Sequence, residues 1–124
     1  MKRILVIEDD EQYRPMLTRM LQRAGYEVAA AADGEEGIRL FRLQPADLVI
    51  SDIFMPGKEG METIRELHRD YPDLKIIAMS GGNIQMGPFC SLPPAKEFGA
   101  VEVLSKPFEK ETLLKTVRDV LGGE

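Results

Sequence analysis

Residues 4–10 read ILVIEDD, and this stretch decides the fold. Four aliphatic residues that end in acids are typical of a strand buried on both faces of a parallel sheet, because such a strand needs no polar alternation. The pattern recurs as LVISD at residues 48–52, and a third buried run, IIAMS, lies at residues 76–80. A fourth run lies at Val101–Leu104, and a weaker candidate lies at Tyr26–Ala30. The sequence therefore predicts five strands.

Helical patterns separate these strands. Apolar side chains recur every three or four residues between Tyr13 and Ala24, which places them on one face of a helix. Further helices are predicted near Ile38–Phe41, Met61–Tyr71 and Leu113–Leu121. Strands that alternate with helices favour an α/β fold, a doubly wound parallel sheet with helices on both faces.

Residues 83–99 interrupt this alternation. They contain Pro88, Pro93 and Pro94, so a long regular helix cannot pass through them. A shorter helix over about residues 94–98 is compatible with the pattern. We therefore expect the fourth helix region to be irregular.

Composition excludes several classes of protein. The chain has 124 residues, with 16 Lys and Arg against 21 Asp and Glu, so it lacks the basic excess that a nucleic-acid-binding face needs. One cysteine, Cys90, and one histidine, His68, exclude an internal disulfide and a two-His or multi-Cys metal site. Since no apolar run suits a membrane span or a signal peptide, we expect one cytoplasmic domain over residues 1–124 with no membrane contact.

Polar residues follow the predicted strands at their carboxyl ends, the edge where open parallel sheets bind ligands. Glu8 and Asp9 follow the first strand, Asp52 ends the third, Ser80 ends the fourth, and Lys106 follows the fifth. Clustered carboxylates repel one another unless a cation lies among them, and carboxylate oxygens suit Mg²⁺. A lysine and a hydroxyl beside them suit a tetrahedral anion. The set fits phosphoryl transfer with a carboxylate as the nucleophile.

Three blocks of sequence resemble the signature motifs of the receiver domain of two-component response regulators, in its single-domain, chemotaxis-regulator-like form. They are ILVIEDD at residues 4–10, DLVISDIFMPG at residues 47–57 and LSKPF at residues 104–108. The resemblance covers essentially the whole chain, in order and at compatible spacing. It implies a flavodoxin-like five-stranded sheet in the order 2-1-3-4-5 and a phosphorylation-controlled signalling function in a histidine-to-aspartate relay.

The resemblance also implies a role for each matching residue. It makes Asp52 the phosphoacceptor, and it makes Ser80 and Lys106 the residues that bind the phosphoryl group. The implied ligands of Mg²⁺, the expected cofactor, are Glu8, Asp9, Asp52 and the backbone carbonyl of Phe54. Asp9 is expected to be a direct ligand and Glu8 to act partly through water.

The implied partners are a sensor histidine kinase or a histidine phosphotransfer protein, and a downstream protein that the sequence does not identify. No output domain follows the last predicted helix in this sequence. We therefore expect either a stand-alone regulator that acts by binding a partner or a fragment of a larger regulator or hybrid kinase, and in both cases no direct contact of this domain with nucleic acid. We expect no enzyme activity beyond Mg²⁺-dependent self-phosphorylation and autodephosphorylation.

Two features depart from the family pattern. Val103 stands three residues before Lys106, where receivers usually carry an aromatic residue that changes rotamer on activation. Ser80 and Lys106 are 26 residues apart, a few more than usual, and the extra length falls within residues 83–99. These departures leave open how a phosphorylated state would be transmitted.

Two other functions stay open. One is an interaction module that keeps the receiver fold but signals without phosphorylation. The other is a small aspartate-nucleophile phosphatase, which needs its nucleophile at the first strand and a second acid two positions later. Glu8 and Asp10 fit that requirement poorly, and Asp10 is better explained as an acid that favours a helix N-terminus. His68 is interpreted as a solvated or half-packed helix residue.

Overall fold

The computed structural model describes residues 2–53, 60–80, 100–105 and 108–122, with the side chain of Ser80 left aside. Within these ranges the chain forms five strands and four helices. They are β1 (Arg3–Ile7), α1 (Tyr13–Arg23), β2 (Glu27–Ala31), α2 (Gly34–Leu43), β3 (Leu48–Asp52), α3 (Gly60–Asp70), β4 (Lys75–Ser80), β5 (Glu102–Ser105) and α4 (Lys110–Val120).

The five strands form one parallel sheet in the order β2-β1-β3-β4-β5. This confirms the predicted α/β fold and strand order. The register decides where the acids lie: Ile7 of β1 is opposite Ser51 of β3. Glu8 follows Ile7 and Asp52 follows Ser51. The two acids therefore lie side by side at the carboxyl edge of the sheet.

β1 is buried on both faces, as its unbroken aliphatic run predicts. Ile4 and Val6 join one core cluster with α1 and α4, while Leu5 and Ile7 join a second cluster with α2 and α3. All four side chains are at most 2 % exposed. Two apolar layers thus hold β1 rigidly in the centre of the molecule, directly below Glu8.

Local signals set the ends of the helices. Asp33 caps α2 by accepting the Glu36 amide at 2.8 Å, and the Glu36 carboxylate accepts the Ala32 amide at 2.8 Å. This arrangement differs from a capping box by one residue, because the Glu36 carboxylate accepts the amide that precedes the N-cap and not the amide of Asp33 itself. Gly25 follows α1 with φ of +102°, a left-handed conformation that favours glycine and that ends the helix.

Some predicted boundaries shift by one residue. β2 begins at Glu27, because the Tyr26 amide still donates to Leu21 of α1 at 3.2 Å, while the Glu27 amide donates to Lys2 beside β1. β5 begins at Glu102 and not at Val101. The predicted irregular region at residues 83–99, including Cys90, lies outside the described residues. Among the helices described, none is both long and apolar enough to cross a membrane.

Candidate functional site

Three carboxylates meet at the carboxyl edge of the sheet. Glu8, Asp9 and Asp52 each offer a carboxylate oxygen, and these oxygens lie within 4.8 Å of one another. Glu8 is fully buried, Asp52 is 4 % exposed and Asp9 is half-buried. The structure thus brings together three of the predicted site residues, two from the end of β1 and one from β3.

Backbone contacts fix Glu8 in this cluster. Its amide donates to the Ala31 carbonyl of β2 at 3.0 Å, and its carbonyl accepts Nη1 of Arg14 at 2.9 Å. Its Oε2 accepts the Asp10 amide at 3.0 Å. Because both its main chain and its carboxylate are held, Glu8 presents its charge at a defined place. Sequence periodicity gave no signal for the contribution of Arg14, which lies in the first turn of α1.

Asp10 points its carboxylate at the start of α1. Its Oδ1 accepts the amides of Gln12 and Tyr13 at 2.7 and 2.9 Å. Two otherwise unpaired amides of the helix N-terminus are thereby satisfied. The helix-terminal role predicted for Asp10 is confirmed. A carboxylate held by helix amides is poorly placed to serve as the second acid of a phosphatase.

Asp52 is fixed by close backbone packing. It ends β3 opposite Met79 of β4, and the next amide, that of Ile53, donates to the Met79 carbonyl at 2.9 Å. The first residue of α3, Gly60, lies directly against this turn. A Cβ atom at position 60 would come within 2.5 Å of the Ile53 carbonyl oxygen and nearer still to that of Asp52.

Gly60 is a residue whose importance the sequence analysis missed. The apolar pattern started this helix at Met61, whereas the helix begins at Gly60. The sequence could have indicated this role, because glycine has a low helix propensity and yet stands next to the predicted start of the helix. Its missing side chain lets α3 begin in contact with the backbone of the phosphoacceptor candidate.

The donor set fits a hard divalent cation. Carboxylate oxygens are the ligands that Mg²⁺ prefers, and Mg²⁺ commonly takes one or two carboxylates and keeps several waters. Like charges this close raise the free energy of the folded state when no cation lies among them, and burial strengthens the repulsion. Glu8, Asp9 and Asp52 are therefore suited to share one cation.

The remaining predicted residues stand as follows. Ser80 ends β4 opposite Ser105 of β5, so its backbone lies on the same edge of the sheet as the acids. Phe54 and Lys106 lie outside the described residues, and their roles stay predictions. Val103 is half-buried in β5 and packs against the core cluster of α2 and α3. His68 is exposed on α3, as the sequence predicts.

The fold and the position of the acids define a class of signalling domain, and comparison with known families agrees. Residues 4–118 match the family model of the response regulator receiver domain. The chain therefore belongs to the receiver domain family of response regulators.

Several individual proteins are similar over nearly their whole length. Protein PilH of Pseudomonas aeruginosa is 34 % identical over 125 residues, which cover 99 % of this chain and 100 % of PilH. The response regulator receiver protein CpdR of Brucella abortus is 34 % identical over 98 % of both chains. The solved structure of chemotaxis protein CheY4 of Vibrio cholerae superposes with a TM-score of 0.85 at 34 % identity, covering 97 % of this chain and 98 % of that one.

Other relatives are longer proteins. The transcriptional regulatory protein AfsQ1 of Streptomyces coelicolor is 36 % identical over 98 % of this chain, which spans 52 % of AfsQ1. The chain thus spans about half the length of that regulator. The shared part is the receiver domain. The similarity is therefore evidence for the domain and not for the activity of the whole regulator.

Proposed function

We propose that this chain is a phosphoacceptor receiver in which Mg²⁺-dependent phosphorylation of Asp52 controls the binding of a partner. The observation that carries the proposal is the convergence of Glu8, Asp9 and Asp52 at the carboxyl edge of the sheet. The phosphodonor is a phosphohistidine on a sensor kinase or on a phosphotransfer protein. The expected setting is the cytoplasm, and the expected output is contact with a downstream protein.

In the proposed step, a carboxylate oxygen of Asp52 attacks the phosphorus atom of the donor. A P–O bond forms and the donor's P–N bond breaks, so that its imidazole leaves with the electron pair, neutral when its other nitrogen carries a proton. The product is an acyl phosphate. Hydrolysis, in which water attacks the phosphorus, returns the carboxylate and inorganic phosphate. The chain is thus its own substrate, and we propose no other enzyme activity.

Other residues bind the metal and the phosphoryl group in the proposed step. Mg²⁺, when bound, neutralises charge on the phosphoryl oxygens, and its proposed ligands are Glu8, Asp9, Asp52 and the carbonyl of Phe54. Glu8 is held by three hydrogen bonds and keeps its charge in place without reorganisation. Lys106 and Ser80 are the proposed donors to the phosphoryl oxygens.

One observation favours a second candidate, a receiver fold that signals without phosphorylation. Position 103 carries a valine that packs into the core cluster of α2 and α3, so it has no ring to change rotamer. In this second candidate the acid cluster would set the stability of the fold, and the partner would bind whether or not Asp52 is modified.

The proposal is tested by incubating the protein with acetyl phosphate and Mg²⁺ and measuring its intact mass. We expect a single phosphoryl adduct on the wild type and none on Asp52→Asn. Asp70→Asn, which makes the same change at an exposed acid of α3, is the control and is expected to keep the adduct. Chelating the metal should abolish the adduct.

Three results would contradict the proposal. The first is the absence of an adduct on the wild type. The second is an undiminished adduct on Asp52→Asn, which would place the phosphoacceptor elsewhere. The third is an adduct on the wild type that leaves its amide NMR spectrum and its affinity for a captured partner unchanged, which would favour the second candidate.

A further inference from the structure

The side chain of Arg14 ends beside the acid cluster. Its Nη1 donates to the backbone carbonyl of Glu8 at 2.9 Å, and the residue is half-buried. Leu17 and Leu21, three and seven residues further along α1, are fully buried in the core cluster of α1 and α4. Because residues at these spacings share one face of a helix, Arg14 lies on the face of α1 that is turned toward the sheet. A packed helix therefore fixes the guanidinium at the edge where the acids converge.

Arg14 contacts the chain on both sides of Asp9. Its side chain binds the carbonyl of Glu8, and its amide donates to the carbonyl of Asp10 at 3.0 Å. One residue thus holds the carbonyls of the residues before and after Asp9. The two contacts close a short loop that has Asp9 at its centre.

Asp9 depends on these neighbours for its position. Within the described parts of the chain, its carboxylate accepts no hydrogen bond, whereas the carboxylates of Glu8 and Asp10 accept backbone amides. Even so, a carboxylate oxygen of Asp9 lies within 4.8 Å of those of Glu8 and Asp52. The direction of the Asp9 side chain is therefore set by its backbone, and Arg14 binds that backbone on either side.

The charge of Arg14 predicts the opposite effect from its contacts. A guanidinium beside three carboxylates lowers their mutual repulsion, but it also repels a divalent cation that binds among them. If charge were the whole contribution of Arg14, its removal would tighten the binding of Mg²⁺. If the contacts with the loop dominate, its removal weakens that binding. The sign of the change separates the two explanations.

We propose that Arg14 is a positioning residue for the metal site, a role that rests on the function proposed above. By holding the carbonyls of Glu8 and Asp10, it sets the direction in which Asp9 presents its carboxylate to Mg²⁺. Arg14 acts through these residues and is not itself a ligand, because a guanidinium has no acceptor atom. Groups that hold a metal ligand in place commonly contribute a factor of about 10 to 100 to metal affinity.

Titration with Mg²⁺ followed by amide NMR tests the proposal. Arg14→Met removes the guanidinium and keeps an unbranched side chain, and we expect it to raise the Kd of Mg²⁺ about tenfold. Arg19→Met makes the same substitution at an exposed position of α1 and should leave the Kd within about twofold of the wild type, since solvent screens an exposed charge. Arg14→Lys keeps the charge on a shorter side chain and should weaken binding less than Arg14→Met does.

A second measurement needs no metal. The Asp10 amide donates to Oε2 of Glu8, so its hydrogen exchange in metal-free protein reports how well the loop is ordered. We expect this amide to exchange several-fold faster in Arg14→Met than in the wild type. The Glu36 amide, which donates to Oδ1 of Asp33 at the start of α2, is the matched control and should exchange at the wild-type rate.

The outcomes distinguish the two proposals. A wild type that binds no Mg²⁺ refutes the proposed function and this inference with it. A wild type that binds, together with an Arg14→Met variant of equal or tighter affinity, overturns this inference alone. If Arg14→Met does not fold, wild-type affinity in Arg14→Lys overturns it instead. Equal losses of affinity in Arg14→Met and Arg19→Met, or faster exchange of both amides, would show a general disturbance of the fold and would also overturn it.

Discussion

Carboxylates gather in two regions within the described part of this receiver domain, and the regions differ in how deeply the acids are buried and in how closely they approach one another. Between α2 and α3, Nη2 of Arg42 lies 3.1 Å from Glu66 and 2.8 Å from Asp70, and Nε of Arg69 lies 3.0 Å from Asp70. These partners are at least partly exposed. At the carboxyl edge of the sheet, three acids converge on one another and two of them are buried.

The difference separates a surface contact from a candidate site. Hydrogen bonds from Arg69 and Arg42 hold the pKa of Asp70 below its usual value, so each charge is stabilised within the protein. Exposed ion pairs of this kind contribute little to stability, because water screens them and their side chains lose freedom. At the strand ends three carboxylates lie together, and like charges this close repel one another, a repulsion that a bound cation would relieve. Stability at this edge should therefore depend on the metal.

The largest effect is expected where the backbone fixes the acid cluster. Gly60→Ala forces a Cβ against the carbonyls of Asp52 and Ile53, and overpacking of this kind costs about 1–3 kcal/mol. We expect a lower free energy of unfolding and a weaker affinity for Mg²⁺, because Asp52 must shift. Urea unfolding and calorimetry with Mg²⁺ measure the two quantities.

Gly25→Ala is the control for that variant. It places an alanine at φ of +102° with no neighbouring atom within 4 Å, so it costs about 1–2 kcal/mol through backbone strain alone. We expect a comparable loss of stability with no change in the Kd of Mg²⁺. If both variants weaken Mg²⁺ binding equally, the close packing at position 60 is not what fixes the position of Asp52.

Removing one acid from the cluster should have opposite effects with and without metal. Asp9→Asn is expected to raise the Kd of Mg²⁺ at least about tenfold, a loss of ~1.4 kcal/mol. In metal-free buffer the same change should raise the free energy of unfolding by about 1 kcal/mol, the Coulomb energy of two charges about 4 Å apart in water. Thermal unfolding with chelator and with Mg²⁺ measures both effects, since a bound ligand stabilises the folded state.

Glu11→Gln removes a charge from an exposed position two residues further along the same connection. We expect it to change neither the Kd of Mg²⁺ nor the free energy of unfolding in metal-free buffer by more than a small amount. An equal effect of Glu11→Gln and Asp9→Asn would mean that Mg²⁺ responds to the net charge of the region and not to ligation by Asp9.

The sequence predicted most of the fold because its strands carry an unambiguous signal. Unbroken aliphatic runs marked β1, β3 and β4, and the acids at the ends of β1 and β3 located the cluster before any register was known. Gly60 escaped notice because its function lies in a contact with residues on another element, and no local pattern records that contact. The contact of Arg14 was missed for a similar reason, since its partner is a backbone carbonyl, which no pattern of side chains displays.

The smallest effect is expected in the exposed ion-pair group. Asp70 has a lower pKa in the folded state than its unfolded value of about 3.9, so its pairing stabilises the fold above that pH, and the contribution is lost as the pH falls through the folded pKa. Asp70→Asn should therefore be slightly less stable than the wild type at pH 7, and the gap should narrow as the pH falls through the folded pKa of Asp70. Urea unfolding in metal-free buffer at several pH values measures the gap. A gap that stays the same at every acidic pH where the wild type still folds would show that Asp70 stabilises the helices by packing and not by its charge.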